Sequence, residues 1–371
     1  MIFPMGFTRS DWRLSIITAV AAAMAGIAYY AKLGGNVAPF VVAAIALALL
    51  ASLVGRSVEA LGDRLGAGAT GVVQSALGNL PELFVVLFAL KAKLYDVATA
   101  TIVGSILANV LLVLGLAFLF GGIKHGRQTF GGEAARTMSM LMVLSVAALL
   151  VPSLTSALGS HASKAALHER TLSIVVSVLL LGLFVASLPA SLRRQKAAPK
   201  ADAADAADSA DEAAESSEHS WPLALALAML AITGVGAAFV SDWFVGALQP
   251  AIHTLGISEA FAGLVIVAIA GNAVENVVGI QLALKNQSDY ALSVILQSPL
   301  QIALVVAPAL VLLSPLVGAS FTLVLSPLLI AVLIMSIVIT VLVVLDGESN
   351  WLEGATLIVL YGIIATAFWW G

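Results

Sequence analysis

Apolar residues occupy this chain in long runs, with most charged residues confined to the gaps between them. A helix needs about 20 apolar residues to cross the hydrocarbon layer of a bilayer. Runs of that kind lie at 14–31, 36–54, 70–90, 97–120, 136–158, 171–191, 222–246, 258–284, 291–314, 320–345 and 351–370. The pattern predicts an all-α polytopic membrane protein of about eleven transmembrane helices.

Composition narrows the class. Of 371 residues, 61% are hydrophobic and 10% charged, and the mean hydropathy is +1.06. Soluble domains carry roughly 25% charged residues, so a water-soluble enzyme is excluded. The absence of cysteine removes disulfides, thiolate metal sites and thiol catalysis. Five scattered histidines suggest no zinc cluster. No short apolar segment with a small-residue cleavage site opens the chain, so the first run is read as a retained span.

The 17 basic residues set an expected orientation. With the N-terminus in the cytoplasm, twelve face inside, among them Arg9, Arg13, Arg56, Lys124, Arg127, Arg136 and Lys285. Five face outside: Lys32, Lys91, Lys93, Lys164 and Arg170. One segment stands apart. Residues 193–220, RRQKAAPKADAADAADSADEAAESSEHS, carry seven of the chain's 21 acids and no large apolar residue. Nothing there can be buried, and a cytoplasmic linker is the natural reading. The expected organisation is an N-terminal helix (1–35), a first repeat (36–192), the acidic linker (193–220) and a second repeat (221–371).

Two carboxylates fall inside spans, Glu82 and Glu275. A charged group at the bilayer centre costs on the order of 3 kcal/mol, so a role is the default expectation. Both sit in the same local pattern: Gly78-Asn79-Leu80-Pro81-Glu82 and Gly271-Asn272-Ala273-Val274-Glu275 are each Gly-Asn-x-x-Glu, 193 residues apart. At that offset Asp96 falls on Asp289 and Ser105 on Ser298, with 11 identities in 38 positions from Gly78 to Gly115. This is an internal repeat. Under the orientation above the two spans run in opposite directions. Glu82 lies about 18 Å from one membrane face and Glu275 about 25 Å from the other, by the helical rise. Inverted repeats with polar groups at the midplane are the mark of a secondary transporter.

The neighbours suit such a site. Gly78, Pro81 and Gly271 weaken the helices where carbonyls would be freed. Asn79 and Asn272 share a helix face with their glutamates. Ser105 and Asn109, with Ser298 and Gln301, supply further oxygens from the following helix of each repeat; knitting helices together is the plainer reading of these four. The expected ligand set is all oxygen, which suits hard cations such as Ca2+, with Glu82 and Glu275 as the metal-binding pair. Two ionised glutamates can be neutralised by one divalent cation or by two protons. If only neutral forms switch sides, cation/proton antiport follows. No cofactor is expected beyond the transported Ca2+ and H+, and the expected surroundings are the lipid bilayer, with no nucleic acid.

At these residues the chain resembles a known family. GNLPELFVVLFALKAKLYDVATATIVGSILANVLLVLGL at 78–116 and GNAVENVVGIQLALKNQSDYALSVILQSPLQIALVVAPALVLL at 271–313 are similar to the two repeats of the calcium/proton exchangers, within the calcium/cation antiporter superfamily. Glu59-Ala-Leu-Gly-Asp-Arg-Leu-Gly and Asp346-Gly-Glu-Ser-Asn-Trp-Leu-Glu-Gly fit as well, as does the acidic linker. The resemblance implies an eleven-helix fold with Glu82 and Glu275 carrying calcium and protons. Three departures stand out. Asn276 takes the place of a usual histidine, and Gln297-Ser298-Pro299-Leu300-Gln301 replaces Gly-Ser-Ser-Thr-Gln. Leu80-Pro81-Glu82 has the flavour of the sodium/calcium branch, so a sodium-coupled or other divalent-cation exchanger is the alternative. A compact chain suits a prokaryotic plasma membrane.

Overall fold

The computed structural model describes residues 7–65, 77–162, 164–197 and 221–371. Its long helices follow the apolar runs: α1 (Arg9–Ala31), α2 (Ala38–Leu65), α3 (Leu80–Lys91), α4 (Tyr95–His125), α5 (Gly132–Ala162), α6 (Glu169–Ala197), α7 (Leu223–Leu255), α8 (Glu259–Gly271), α9 (Ala273–Leu284), α10 (Ser288–Val317), α11 (Pro327–Val344) and α12 (Trp351–Phe368). Ends are set by local chemistry. Thr8 and Asn350 form capping boxes with Asp11 and Glu353. Ser326 caps α11 just before Pro327, which is why that helix starts seven residues later than the apolar run.

The expected count of eleven spans is not reproduced. Among the described residues nine helices are long and apolar enough to cross a membrane, and ten if α8 and α9 are joined as one span bent by 62°. The expected span at 70–90 is interrupted at Gly78-Asn79, and α3 beyond it has 12 residues. Its beginning, 66–76, lies outside the described residues. So does the linker from 198 to 220; its first residues continue α6 to Ala197.

Contacts between loops divide the molecule into two faces. On one, Asp11 pairs with Arg56 and accepts from the Trp221 indole at 3.2 Å. The same face holds β1 (Gln128–Thr129) against β2 (Glu348–Ser349), beside an Arg127–Glu348 ion pair. Gln128 there donates to the Ala283 carbonyl and to Asn286, both at 3.0 Å, and Lys124 donates to the Leu284 carbonyl at 2.9 Å. On the other face Asn36 meets Thr254, Lys91 meets Asp242, and Ser258 donates to the Phe368 carbonyl. This division matches the alternation expected from the runs. Helix α3 therefore ends on the face opposite to that of its repeat mate α9, and the two repeats are inverted.

Helix α4 is buried along most of its length and sits at the centre. It crosses α8 so closely that a Cβ on Gly104 would overlap the Leu264 carbonyl. A Cβ on Gly263 would lie 2.5 Å from the Val97 carbonyl oxygen. Interfaces of this kind, where small residues let backbones approach, are a common means of joining helices in lipid.

Candidate functional site

The two Gly-Asn pairs break their helices in the same way. Asn79 has φ −94°, ψ 20° and Asn272 has φ −97°, ψ 18°, and a new helix starts immediately after each. Pro81 fits the first turn of α3, where its missing N–H goes unneeded. Glu82 lies in that same turn, at the positive end of the helix dipole.

Glu82 is 4% exposed. Ser105 of α4 donates to its Oε1 at 2.9 Å, and the Asn272 amide donates to the same oxygen from the second repeat. Gly271 makes this approach possible: a Cβ there would lie 2.8 Å from Glu82 Cγ. The Asn272 side-chain oxygen, Oδ1, accepts from Asn109 and from Ser298, each at 3.1 Å. Asn109 also donates to the Ser105 carbonyl at 2.9 Å and to Ser298 Oγ at 3.2 Å. Beside this network Asn79 donates to Gln301 Oε1 at 2.9 Å.

The pairing is pseudo-symmetric. Each asparagine at a helix break reaches the amide of the next helix in the other repeat: Asn79 to Gln301, and Asn272 to Asn109. Gln301 aligns with Ala108, one position before Asn109, and the longer side chain spans the difference. The helices that present these groups also share a deformation. Both α4 and α10 pass through a π-helical turn, at Ala108–Val113 and Ile302–Val306, which overlap at the 193-residue offset. A π turn widens the helix and loosens its carbonyl ladder, a feature frequent at functional sites.

The structure thus gathers Glu82, Ser105, Asn109, Asn272 and Ser298 into one network, with Asn79 and Gln301 alongside and Gly78 in the first break. Glu275 lies on α9 one turn beyond the second break, but its side chain is outside the described residues. Among the described residues no three His, Asp or Glu side chains are grouped to hold a metal ion. The arrangement is one carboxylate with amide and hydroxyl oxygens, including a buried Asn109 Oδ1 that accepts no hydrogen bond.

Two side chains at the site escaped sequence reasoning. Asn276, noted only as a departure, has a buried Oδ1 without a hydrogen bond. Thr340 of α11 donates to the Val110 carbonyl at 3.3 Å, inside the π turn of α4. A lone threonine in an apolar run carries no signal of that contact.

The profile of the family described as "Sodium/calcium exchanger protein" matches residues 35–192 and 225–370. The chain belongs to that family. This exchanger-family chain is 32% identical over 341 residues to the Ca(2+)/H(+) antiporter of Synechocystis, covering 90% of this chain and 91% of that protein. To the Ca(2+)/H(+) antiporter ChaA of Bacillus subtilis it is 34% identical over 330 residues, 89% of this chain and 91% of the other. The solved structure of native YfkE superposes with a TM-score of 0.77 at 30% identity, over 96% of this chain and 99% of that one. A second solved structure, the H+/Ca2+ exchanger CAX, shares the fold at 13% identity, with a TM-score of 0.73 over 98% and 92% of the two chains.

Proposed function

We propose that this protein is a secondary active transporter that exchanges Ca2+ for H+ by alternating access, with Glu82 and Glu275 holding the cation or protons in turn. The observation that carries this reading is the buried Glu82, bonded by Asn272 of the opposite repeat. The relatives named as Ca(2+)/H(+) antiporters support the choice of substrates.

The chemistry follows from charge. An ionised carboxylate deep in a low-dielectric bundle is costly unless it is paired or neutralised. One divalent cation or two protons neutralise a pair of glutamates, so the two occupied forms are neutral and the empty form is not. Restricting the conformational switch to neutral forms makes exchange obligatory. The amide and hydroxyl oxygens of Asn109, Asn272, Ser105 and Ser298 complement the carboxylates as neutral donors for a hard cation. In the proton-loaded form the same side chains hydrogen-bond the protonated glutamate. The molecular faces are assigned by the basic residues, with β1–β2 and the N-terminus in the cytoplasm of a prokaryotic cell. Residues 193–220 serve as a spacer between repeats.

Calcium uptake into proteoliposomes under an imposed pH gradient, without sodium, tests this reading. Wild type should take up Ca2+, and Glu82→Gln or Glu275→Gln should abolish uptake. Near-normal exchange in either variant would refute the charge scheme. A second reading, sodium-coupled exchange, rests on the Leu80-Pro81-Glu82 sequence. It requires flux only when a sodium gradient is supplied.

A further inference from the structure

A groove of ≈ 430 Å³ lies on the outer surface of the bundle, away from the ion site, between α5 and the C-terminal end of α11. It runs from Arg136 through Ser139, Val143 and Ala147 on α5 to Val344 and Leu345 beside them. Its walls are apolar almost throughout, yet its mouth is not. Arg136 is exposed at the face that carries β1–β2, and among the described residues no carboxylate lies within ion-pair distance of it. Ser139, less than one turn further in, is 5% exposed, and its hydroxyl has no hydrogen-bond partner among the described residues.

The dimensions are those of one leaflet. From Arg136 to Ala147 the stripe rises about 16 Å, against about 15 Å for half of a hydrocarbon core. Residues 136, 139, 143 and 147 recur at three- and four-residue steps, so one face of α5 lines the groove from the interface to the midplane. A guanidinium at the rim, a buried hydroxyl one step deeper and an apolar trough beyond form a graded sequence. A phospholipid has the complementary one: an anionic phosphate, a polar ester linkage and an acyl chain.

We propose that this groove binds an anionic phospholipid, with its phosphate at Arg136, its ester region at Ser139 and one acyl chain along Val143, Ala147 and Val344. Arginine suits the phosphate because its planar fork donates two parallel hydrogen bonds. The position also offers a link to transport. Helix α11, which forms the second wall, reaches the π turn of α4 through Thr340.

Native mass spectrometry of the purified full-length protein in detergent tests the proposal, titrating phosphatidylglycerol against phosphatidylcholine of the same chains. Wild type should retain phosphatidylglycerol selectively. Arg136→Gln should weaken that retention about fivefold, the effect of one basic residue at a membrane surface. Val143→Trp and the milder Ala147→Leu, which fill the trough, should lower retention of both lipids. Arg13→Gln, an exposed arginine of α1, should leave retention as in wild type. Unchanged selectivity in Arg136→Gln would overturn the proposal, as would an equal loss in Arg13→Gln or full retention in both filled variants. A dimer mass that falls to a monomer in Val143→Trp, with no lipid bound, would assign the groove to a second copy instead.

Discussion

Substituting Gly263 by alanine tests the claim that α4 and α8 are held at backbone contact. In an ordinary helix the change gains about 1 kcal/mol from propensity. Here the new Cβ would lie 2.5 Å from the Val97 carbonyl oxygen and 3.0 Å from Ala100 Cβ. A carbon and a carbonyl oxygen rest at about 3.3 Å or more, so the helices must part by about 0.8 Å. Overpacking of that kind costs about 1–3 kcal/mol, and it outweighs the propensity gain. The displacement also carries α8 away from α4, and with it Asn272 away from Asn109. Gly234 on α7 provides the opposite case, because a Cβ there meets nothing within 4 Å. Gly234→Ala should leave stability equal or raise it by about 0.5–1 kcal/mol. Thermal unfolding in detergent, followed by tryptophan fluorescence, should give a lower midpoint for Gly263→Ala and an equal or higher one for Gly234→Ala. Calcium uptake should fall in the first alone. Equal midpoints and equal uptake in the two variants would refute the contact argument.

Gly271→Ala places a Cβ 2.8 Å from Glu82 Cγ, so it should depress calcium uptake at least tenfold, about 1.4 kcal/mol, and lower the unfolding midpoint as overpacking does; uptake at the wild-type rate would contradict the proposed role of that approach. Thr340→Val removes the hydroxyl that bonds the Val110 carbonyl, worth about 0.6 kcal/mol on average in membrane bundles, and should alter the uptake rate with only a small loss of thermal stability. Deletion of 200–218 should leave proton-driven uptake intact, because no large apolar residue there can join a core; loss of the folded protein would refute the spacer reading.

Most of the fold was legible because membrane helices announce themselves by length. The runs at 14–31 and 351–370 became α1 and α12 with small shifts at their ends, and the run at 36–54 became α2, which continues 11 residues further to Leu65. The breaks were legible too, since Gly-Asn in an apolar run has few structural uses, and both asparagines adopt the same non-helical geometry. The count of spans among the described residues differs from the expected eleven where a break interrupts an apolar run, as at Gly78-Asn79, beyond which α3 has 12 residues. Within the site, sequence singled out the amides but not their partners. That Asn79 meets Gln301 and Asn272 meets Asn109 depends on how two repeats interdigitate, which hydropathy does not encode. The π turns were hidden for a related reason. Ala-Asn-Val-Leu-Leu-Val and Ile-Ala-Leu-Val-Val differ in no obvious way from α-helical sequence, and the extra residue per turn is accommodated by packing.

The bond between Glu82 and Asn272 joins residues 190 apart in the chain. A ribosome adding roughly 5–20 residues each second takes about 10–40 s to cover that distance. Throughout that interval the first repeat is in the membrane with its glutamate and Asn109 awaiting the second. Ser105 and its carbonyl, within the same repeat, are then in place to serve them. The newborn first half therefore carries a glutamate and an amide whose bonding partners in the second repeat have yet to be made, and a chain truncated before residue 272 would leave both without them.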